Sequence, residues 1–279
     1  MGDFKDWIGR QEETEAVVEC WPLTGLGALI DERCAVKAVG DGDAAHPCAH
    51  WLYFTPAVPQ SQIDADGHPR RGGIVPPLPQ ARRMWAKSVI SYHDDMRVGQ
   101  RVRKTVTVAG LERKSGKSGD LVFLELHNRY ADGTRLLREE SQTLVYRDHQ
   151  DYDESIFRMR PEHAPQWSFP VRLGAVELFR YSAVTFNGHR IHYDSDYTRD
   201  VEKYPATIVQ GQFIATLVLS HALAEAGAAR CRRFAFKAVK PLFVDQPFYV
   251  EGRRLEDGGI EAWARQEDGR INLTAEIGF

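Results

Sequence analysis

A short internal repeat constrains the fold of this chain more than any other feature of its sequence. Residues 82–89 (RRMWAKSV) align with residues 232–239 (RRFAFKAV) at an offset of 150, with four identical positions. Four identities in eight positions could arise by chance, but both copies lead into the same order of predicted strands. Internal repeats indicate duplicated structural units, and a length of 279 residues allows about two domains. We therefore predict two copies of one unit.

Strand and turn patterns after each copy predict an antiparallel meander. Alternating apolar and polar residues are typical of half-buried strands, and a dipeptide such as Asp132-Gly133 is typical of a tight hairpin. The strands are predicted at 102–108, 121–130 and 136–147 after the first copy, with a turn at 115–119, and at 247–255, 260–266 and 270–279 after the second.

The helical signal is concentrated in one segment. Residues 207–227 are apolar nearly all round, as expected of a helix enclosed by a sheet, and they end at Gly227, a residue favoured at helix C-termini. A weaker helix is predicted around 22–32. Two units of one helix and a curved antiparallel sheet make an α+β fold.

A proline-rich segment precedes the first meander. Six of the 14 prolines lie between residues 55 and 80, where they prevent a helix or a central strand. A loop of this length is usually functional or disordered. Because apolar residues such as Trp51 and Ile74 can anchor it, we predict an ordered flap over about 51–85.

Composition excludes several classes of protein. The net charge is −3 and the pI is about 6.4, without the basic surface that nucleic-acid binding normally requires. No segment approaches the roughly 20 apolar residues of a membrane span, and the polar N-terminus does not resemble a secretory signal. The four cysteines (Cys20, Cys34, Cys48 and Cys231) show no metal-binding or redox spacing. We expect a cytoplasmic globular protein with reduced thiols.

The densest polar segment is 181–194 (YSAVTFNGHRIHYD). From the residues alone, three interpretations stay open: a solvated loop with helix-capping Asn and Asp residues, a metal site, or acid–base catalysis. His189, His192 and Asp194 are suitable metal ligands, although no second Cys or His cluster completes such a site. Histidine exchanges protons near neutral pH, and an amide such as Asn187 can orient a water molecule beside it.

This segment resembles a known family. Residues 187–194 (NGHRIHYD) are similar to the active-site pattern Asp-x-Asn-Pro-aliphatic-His-x-Asp of the MaoC-like, (R)-specific hydratases and dehydratases, and residues 208–211 (IVQG) occupy the place of the Val-x-Gly that follows. The longer form YSAVTFNGHRIHYD is closer to the double-hotdog hydroxyacyl-thioester dehydratases and the mesaconyl-CoA and itaconyl-CoA hydratases. Residues 50–88 resemble the proline-rich segment of those hydratases.

The resemblance implies a double hotdog, in which each curved sheet wraps a central helix. Residues 1–150 would form a non-catalytic N-terminal unit that carries the flap, and residues 165–279 would form the catalytic unit. His192 matches the catalytic histidine, and the backbone N–H of Gly211 would bind the thioester oxygen. Asn187 replaces the usual catalytic Asp, and an amide cannot act as a base. His192 is therefore expected to act alone on the water and the α-carbon, while Asn187 holds the water.

The acyl group of the substrate is predicted from the resemblance to mesaconyl-CoA and itaconyl-CoA hydratases and from the positions of several arginines. A second carboxylate on the substrate suits a bidentate arginine, and Arg82, Arg83 and Arg190 lie in the flap and the motif. Tyr181 and Gln210 are further candidates for substrate contact. Each of these side chains has an alternative role as an ordinary surface or structural group.

The sequence thus predicts a hydro-lyase that needs neither a metal nor a cofactor, CoA being part of the substrate. The favoured reaction is hydration of itaconyl-CoA or mesaconyl-CoA to citramalyl-CoA, as in itaconate degradation. One alternative is a dehydratase of straight-chain 3-hydroxyacyl thioesters, and another is an acyl-CoA-binding or thioesterase hotdog without hydratase activity. We expect a homodimer that binds no nucleic acid and no membrane.

Overall fold

Ten antiparallel strands form one continuous sheet in the described part of the chain. The computed structural model describes residues 4–30, 40–55, 57–116, 119–227 and 230–279. The strands are β1 (Gln11–Val17), β2 (Arg82–Tyr92), β3 (Arg101–Gly116), β4 (Gly119–Asp132), β5 (Arg135–Arg147), β6 (Trp167–Val171), β7 (Arg233–Ala238), β8 (Phe248–Arg254), β9 (Ile260–Gln266) and β10 (Ile271–Gly278). The helices are α1 (Cys20–Ile30), α2 (His50–Tyr53), α3 (Ala175–Thr185), α4 (Ser195–Asp200) and α5 (Gly211–Ala226).

The two repeat copies lie side by side at the centre of this sheet. The strand order is β1-β3-β4-β5-β2-β7-β10-β9-β8-β6, so β2 and β7 join a half built from β1–β5 to a half built from β6–β10. Lys87 of β2 lies opposite Lys237 of β7, and these residues are equivalent in the repeat. This pair lies at one end of the ladder, which extends to Ser91 opposite Arg233, so the two repeat copies run antiparallel along the middle of the sheet.

The predicted meanders are confirmed. β3, β4 and β5 follow the first copy, β8, β9 and β10 follow the second, and β9 has the predicted bounds. Gly133 and Gly258 in the connecting turns adopt positive φ angles of 58° and 86°, which glycine accepts without strain. Residues 117 and 118 of the predicted turn at 115–119 lie outside the described residues.

The long apolar helix is confirmed as α5, although it begins at Gly211 rather than at residue 207. The preceding residues are extended because their backbone groups bond to a neighbouring segment: the Val209 N–H donates to the Leu242 carbonyl at 2.8 Å, and the Val244 N–H donates to the Thr207 carbonyl at 2.9 Å. The helix ends at Gly227, as predicted, and packs on β7–β10.

The first half has no helix of comparable length among its described residues. α1 covers most of the weaker predicted helix and packs against α3, and residues 31 and 32 lie outside the description. The predicted flap contains α2 and an irregular segment, and its last four residues belong to β2. Pro56 of the flap is also outside the described residues.

Two further expectations concern cysteines and membranes. Cys20, Cys48 and Cys231 are reduced thiols, as predicted, and Cys34 lies outside the described residues. Within the ranges that the structure describes, no helix is both long enough and apolar enough to cross a bilayer.

Candidate active site

A cleft of about 2100 Å³ brings the predicted catalytic residues together. Its walls come from β2–β5, the flap, the segment after α3 and the start of α5. Asn187, His192 and Gly211 all line this cleft, although they come from a loop, a 3₁₀ turn and a helix N-terminus.

His192 is held as a neutral base. It ends the 3₁₀ turn Arg190–His192, and its Nδ1 lies 2.7 Å from the Ile208 carbonyl. A carbonyl can only accept a hydrogen bond, so Nδ1 carries the proton and Nε2 keeps a lone pair. Burial, assisted by the nearby His68, lowers the pKa of His192 to about 4, although the bond to Ile208 acts in the opposite direction. The ring is therefore neutral at neutral pH, with its one proton on Nδ1.

Asn187 follows α3 in the turn that ends the helix. Phe186 adopts a left-handed conformation at φ 48°, and the Asn187 N–H then donates to the Ser182 carbonyl at 2.8 Å. Asn187 Oδ1 accepts the His189 N–H at 3.0 Å. Because its oxygen fixes the backbone of the motif, the side-chain NH₂ is the end that can donate to a bound molecule.

Gly211 is the first residue of α5. The N–H groups of the first helical turn have no intrahelical acceptor, and the helix dipole adds a partial positive charge there. Gly211 is exposed to the cleft, and a Cβ added to it would meet no atom within 4 Å. This position can therefore present an N–H to an anionic oxygen.

Gln210 positions the start of α5. The residue is buried, and its Nε2 donates to the Leu178 carbonyl and to Ser182 Oγ, each at 2.9 Å. These bonds connect the first turn of α5 to α3. Gln210 lines the cleft, so the predicted substrate contact is compatible with this structural role.

Two of the predicted arginines are already engaged within the protein. Arg82 is buried, with Nε 3.0 Å from Glu202 Oε2. Removing one partner of such a buried pair typically costs about 3–5 kcal/mol. Arg190 binds Asp194 Oδ2 through Nε and Nη2 at 3.0 and 2.7 Å. Both side chains have structural partners that a substrate carboxylate would have to displace.

Tyr181 lies in the core rather than on the cleft wall. It is buried and stacks on Phe213 with a centroid separation of 4.5 Å and an interplanar angle of 9°. It is absent from the described residues that line the cleft. The structure therefore does not bring Tyr181 together with the other predicted site residues.

Arg83 differs from its neighbour. It is half-buried and lines the cleft, and none of the described carboxylates lies within ion-pairing distance of it. After burial, its positive charge contributes to lowering the pKa values of His68 and His189. Arg83 is therefore a cation close to the histidines that has no counter-ion among the described residues.

The sequence did not single out Asp66 and His68, which the flap brings into the same site. His68 Nδ1 lies 3.0 Å from Asp66 Oδ2, and the His68 ring lies 4.2 Å from the His189 ring. The only signal in the sequence is an Asp and a His on either side of a glycine in a proline-rich loop.

The structure also changes the set of candidate metal ligands, which the sequence had placed at His189, His192 and Asp194. The Asp194 carboxylate is bound by Arg190 and caps α4 through the Tyr197 N–H. The described group that could hold a metal ion is instead Asp66, His68 and His189, whose ligand atoms lie within 4.8 Å of one another. The expected absence of a metal stays a prediction.

Comparisons with known proteins decide the family. The sequence model of hydroxyacyl-thioester dehydratase type 2 matches residues 48–244. This chain belongs to that family. It is also 35% identical to a mesaconyl-C(4)-CoA hydratase of Chloroflexus aurantiacus, over 99% of this chain and 97% of that protein. The chain is therefore an enzyme of the hydratase/dehydratase type, and the alternative of a hotdog without this activity was wrong.

Solved structures confirm the fold. A MaoC-like dehydratase from Phytophthora capsici superimposes with a TM-score of 0.73 at 13% identity, covering 100% of this chain and 98% of that one. A Mycobacterium tuberculosis protein with a double hotdog fold gives a TM-score of 0.63 at 15% identity, covering 97% and 95%. The predicted double hotdog is confirmed, whereas the homodimer and the location in the cell stay predictions.

The lowered pKa of His192 predicts the acidic limit of activity. A His192 that takes a proton from the substrate, as the sequence predicts, must be neutral, so kcat/KM for dehydration of a 3-hydroxyacyl-CoA should fall near pH 4 rather than near the ordinary histidine value of 6.5. The measurement is kcat/KM against pH, and a midpoint between about 6 and 7 would contradict it.

Stability has to be followed in the same experiment. The unfolded chain binds a proton at His192 below pH 6.5, and the folded chain does so only near pH 4. The free energy of unfolding therefore decreases as the pH falls through this interval. Circular dichroism at each pH separates unfolding from titration of the active site.

Proposed function

We propose that this enzyme hydrates mesaconyl-C(4)-CoA to citramalyl-CoA. The observation that carries the proposal is an unpaired cation, Arg83, in the cleft of a chain that is 35% identical, over nearly its whole length, to a mesaconyl-C(4)-CoA hydratase. The second candidate is dehydration of straight-chain 3-hydroxyacyl thioesters, which the description of the matching family favours.

The chemistry favours mesaconyl-C(4)-CoA over itaconyl-CoA. In mesaconyl-C(4)-CoA the double bond is conjugated with the thioester, so hydroxide adds at the β-carbon, which carries the methyl group and the free carboxylate. A proton then adds at the α-carbon. The double bond of itaconyl-CoA is not conjugated with the thioester, so the same addition has no direct route there.

His192 and Gly211 would act on different atoms at the thioester end of the substrate. During addition, electrons of the double bond move towards the thioester oxygen, and the Gly211 N–H with the α5 dipole would stabilise the developing negative charge. His192 Nε2 would exchange the proton of the α-carbon. The Asn187 NH₂ would orient the water or hydroxyl group.

The polar wall of the cleft supports a short, charged acyl group. Asn128 of β4 pairs with Glu140 of β5, and Glu140 Oε2 lies 3.4 Å from His50 Nε2 of α2. All three residues line the cleft, and His50 and Glu140 are buried. A long alkyl chain against this wall would gain less from burial than it would against a wholly apolar wall.

Gly211 offers a direct test of the proposed oxyanion donor. Gly211→Pro removes only the N–H, because proline is well tolerated at the first position of a helix. Gln210 has φ −59° and ψ 128°, the conformation that a residue before proline prefers. We expect kcat to fall about 10²–10³-fold, measured by loss of the enoyl-thioester absorbance.

Gly211→Ala is the matched control. It keeps the N–H, and its methyl group enters open space, so its kcat should stay near that of the wild type. Equal activity of the Pro and Ala variants would show that this N–H does not stabilise the transition state.

Arg83 offers a test of the substrate. The wild-type enzyme should hydrate mesaconyl-C(4)-CoA much faster than crotonyl-CoA, which lacks the carboxylate. Arg83→Gln should lose about 10²-fold in kcat/KM with mesaconyl-C(4)-CoA, because a charged hydrogen-bonded pair contributes about 1.5–3 kcal/mol, and should change little with crotonyl-CoA.

Arg129→Gln is the control for charge. Arg129 is an exposed arginine of β4 that pairs with Glu139 and does not line the cleft. Both substrates should be hydrated normally by this variant. If the wild type prefers crotonyl-CoA, the straight-chain dehydratase is the better assignment.

A further inference from the structure

The tip of the flap is a tight turn that its own hydrogen bonds hold together. The Asp64 N–H donates to the His68 carbonyl at 2.8 Å, and the Gly67 N–H donates to the Asp64 carbonyl at 2.9 Å. The His68 N–H donates to Asp66 Oδ1, also at 2.9 Å. These bonds fix the directions of the Asp66 and His68 side chains relative to each other.

This turn is docked directly on the catalytic motif. The Arg190 N–H donates to the Asp66 carbonyl at 2.9 Å, and Arg190 Nη1 donates to the Ala65 carbonyl at 3.0 Å. A Cβ on Gly67 would lie 1.8 Å from the Gly188 carbonyl oxygen. The two backbones are therefore in contact at a pair of glycines.

The docked turn places a hydrogen-bonded pair, Asp66 and His68, at the cleft. Asp66 Oδ2 can only accept, so the 3.0 Å bond to His68 Nδ1 places a proton on Nδ1 and directs Nε2 away from Asp66. The His68 side chain is 22% exposed and lines the cleft, whereas His189, between His68 and His192, is buried. Ring centroids are 4.2 Å apart for His68 and His189 and 5.5 Å apart for His189 and His192.

We propose that His68, oriented by Asp66, is the second acid–base group of this active site. It would take the role of the catalytic Asp, in whose place this chain has Asn187. A carboxylate that binds one imidazole nitrogen stabilises the imidazolium and fixes the tautomer, as in other catalytic pairs of this kind. His192, which hydrogen-bonds a neutral carbonyl, has no such carboxylate. The expectation that His192 acts alone is thereby replaced by a division of roles.

In the dehydration direction, the two proposed proton transfers conserve the charge of the site. His192 Nε2 takes the α-proton, the C–H electron pair forms the double bond, and the C–O bond at the β-carbon breaks. His68, whose imidazolium form is stabilised by Asp66 against the effect of burial on its pKa, gives its Nε2 proton to the departing oxygen, which leaves as water. One proton enters the pair of histidines and one leaves it, so the total charge of the site is unchanged. Hydration is the reverse.

The leaving group distinguishes acid catalysis from a merely structural role. Hydroxide needs a proton to leave, whereas chloride does not. The two substrates are the 3-hydroxyacyl-CoA that the wild type dehydrates fastest and its 3-chloro analogue. The inference rests on the hydratase/dehydratase activity but not on the acyl group, so the two proposals can fail separately.

His68→Gln should lose about 10²–10⁴-fold in kcat for the hydroxy substrate, the usual contribution of a general acid, and should eliminate chloride at close to the wild-type rate. Asp66→Asn should show the same pattern with a smaller loss. His192→Gln should lose both reactions. Asp41→Asn, at an exposed carboxylate that does not line the cleft, is the control and should lose neither.

Three outcomes would overturn the proposal. His68→Gln could retain dehydration, which removes the acid role. It could lose both eliminations equally, which indicates that His68 only supports the fold of the site. Alternatively, a chelator could abolish wild-type dehydration and added Zn²⁺ restore it, which would assign Asp66, His68 and His189 to a metal ion.

Discussion

The pairing of β2 with β7 is the constraint on which the rest of the structure depends. It joins the two halves into one sheet and places Lys87 opposite Lys237, its equivalent in the repeat. β2 also follows the flap directly, so the same pairing fixes where the flap returns to the sheet. The cleft consequently takes its walls from both halves, with charged side chains from β2–β5 and the catalytic motif from the segment before α5.

Burial of several histidines in one place gives the site its chemistry. Removal from water favours the neutral form of an imidazole, and the pKa values of His68, His189 and His192 are all lowered mainly for this reason. Their partners then differ: His192 bonds a neutral carbonyl, and His68 bonds a carboxylate. Groups of one residue type can in this way take opposite parts in a proton transfer.

Sequence reasoning predicted the fold and named part of the proposed site. Local patterns predicted the meanders and the end of α5, because turns and apolar faces are encoded by neighbouring residues, and the motif located His192 and Gly211. The roles of Arg82 and Tyr181 could not be read in this way, since their partners Glu202 and Phe213 are distant in sequence. Asp66 and His68 were missed for the same reason, because contacts of their turn with Gly188 and Arg190, distant in sequence, bring them to the motif.

The central claim is that the flap, docked in one position, completes the active site. The most direct test compares kcat for Gly67→Ala and Gly72→Ala. Both glycines lie in the flap with positive φ, at 92° and 114°, but an added Cβ collides with the Gly188 carbonyl only at Gly67 and meets nothing within 4 Å at Gly72. We predict a loss of about 10²-fold for Gly67→Ala, the usual effect of a displacement near 1 Å, and a kcat near that of the wild type for Gly72→Ala. Equal activities of the two variants would contradict the account.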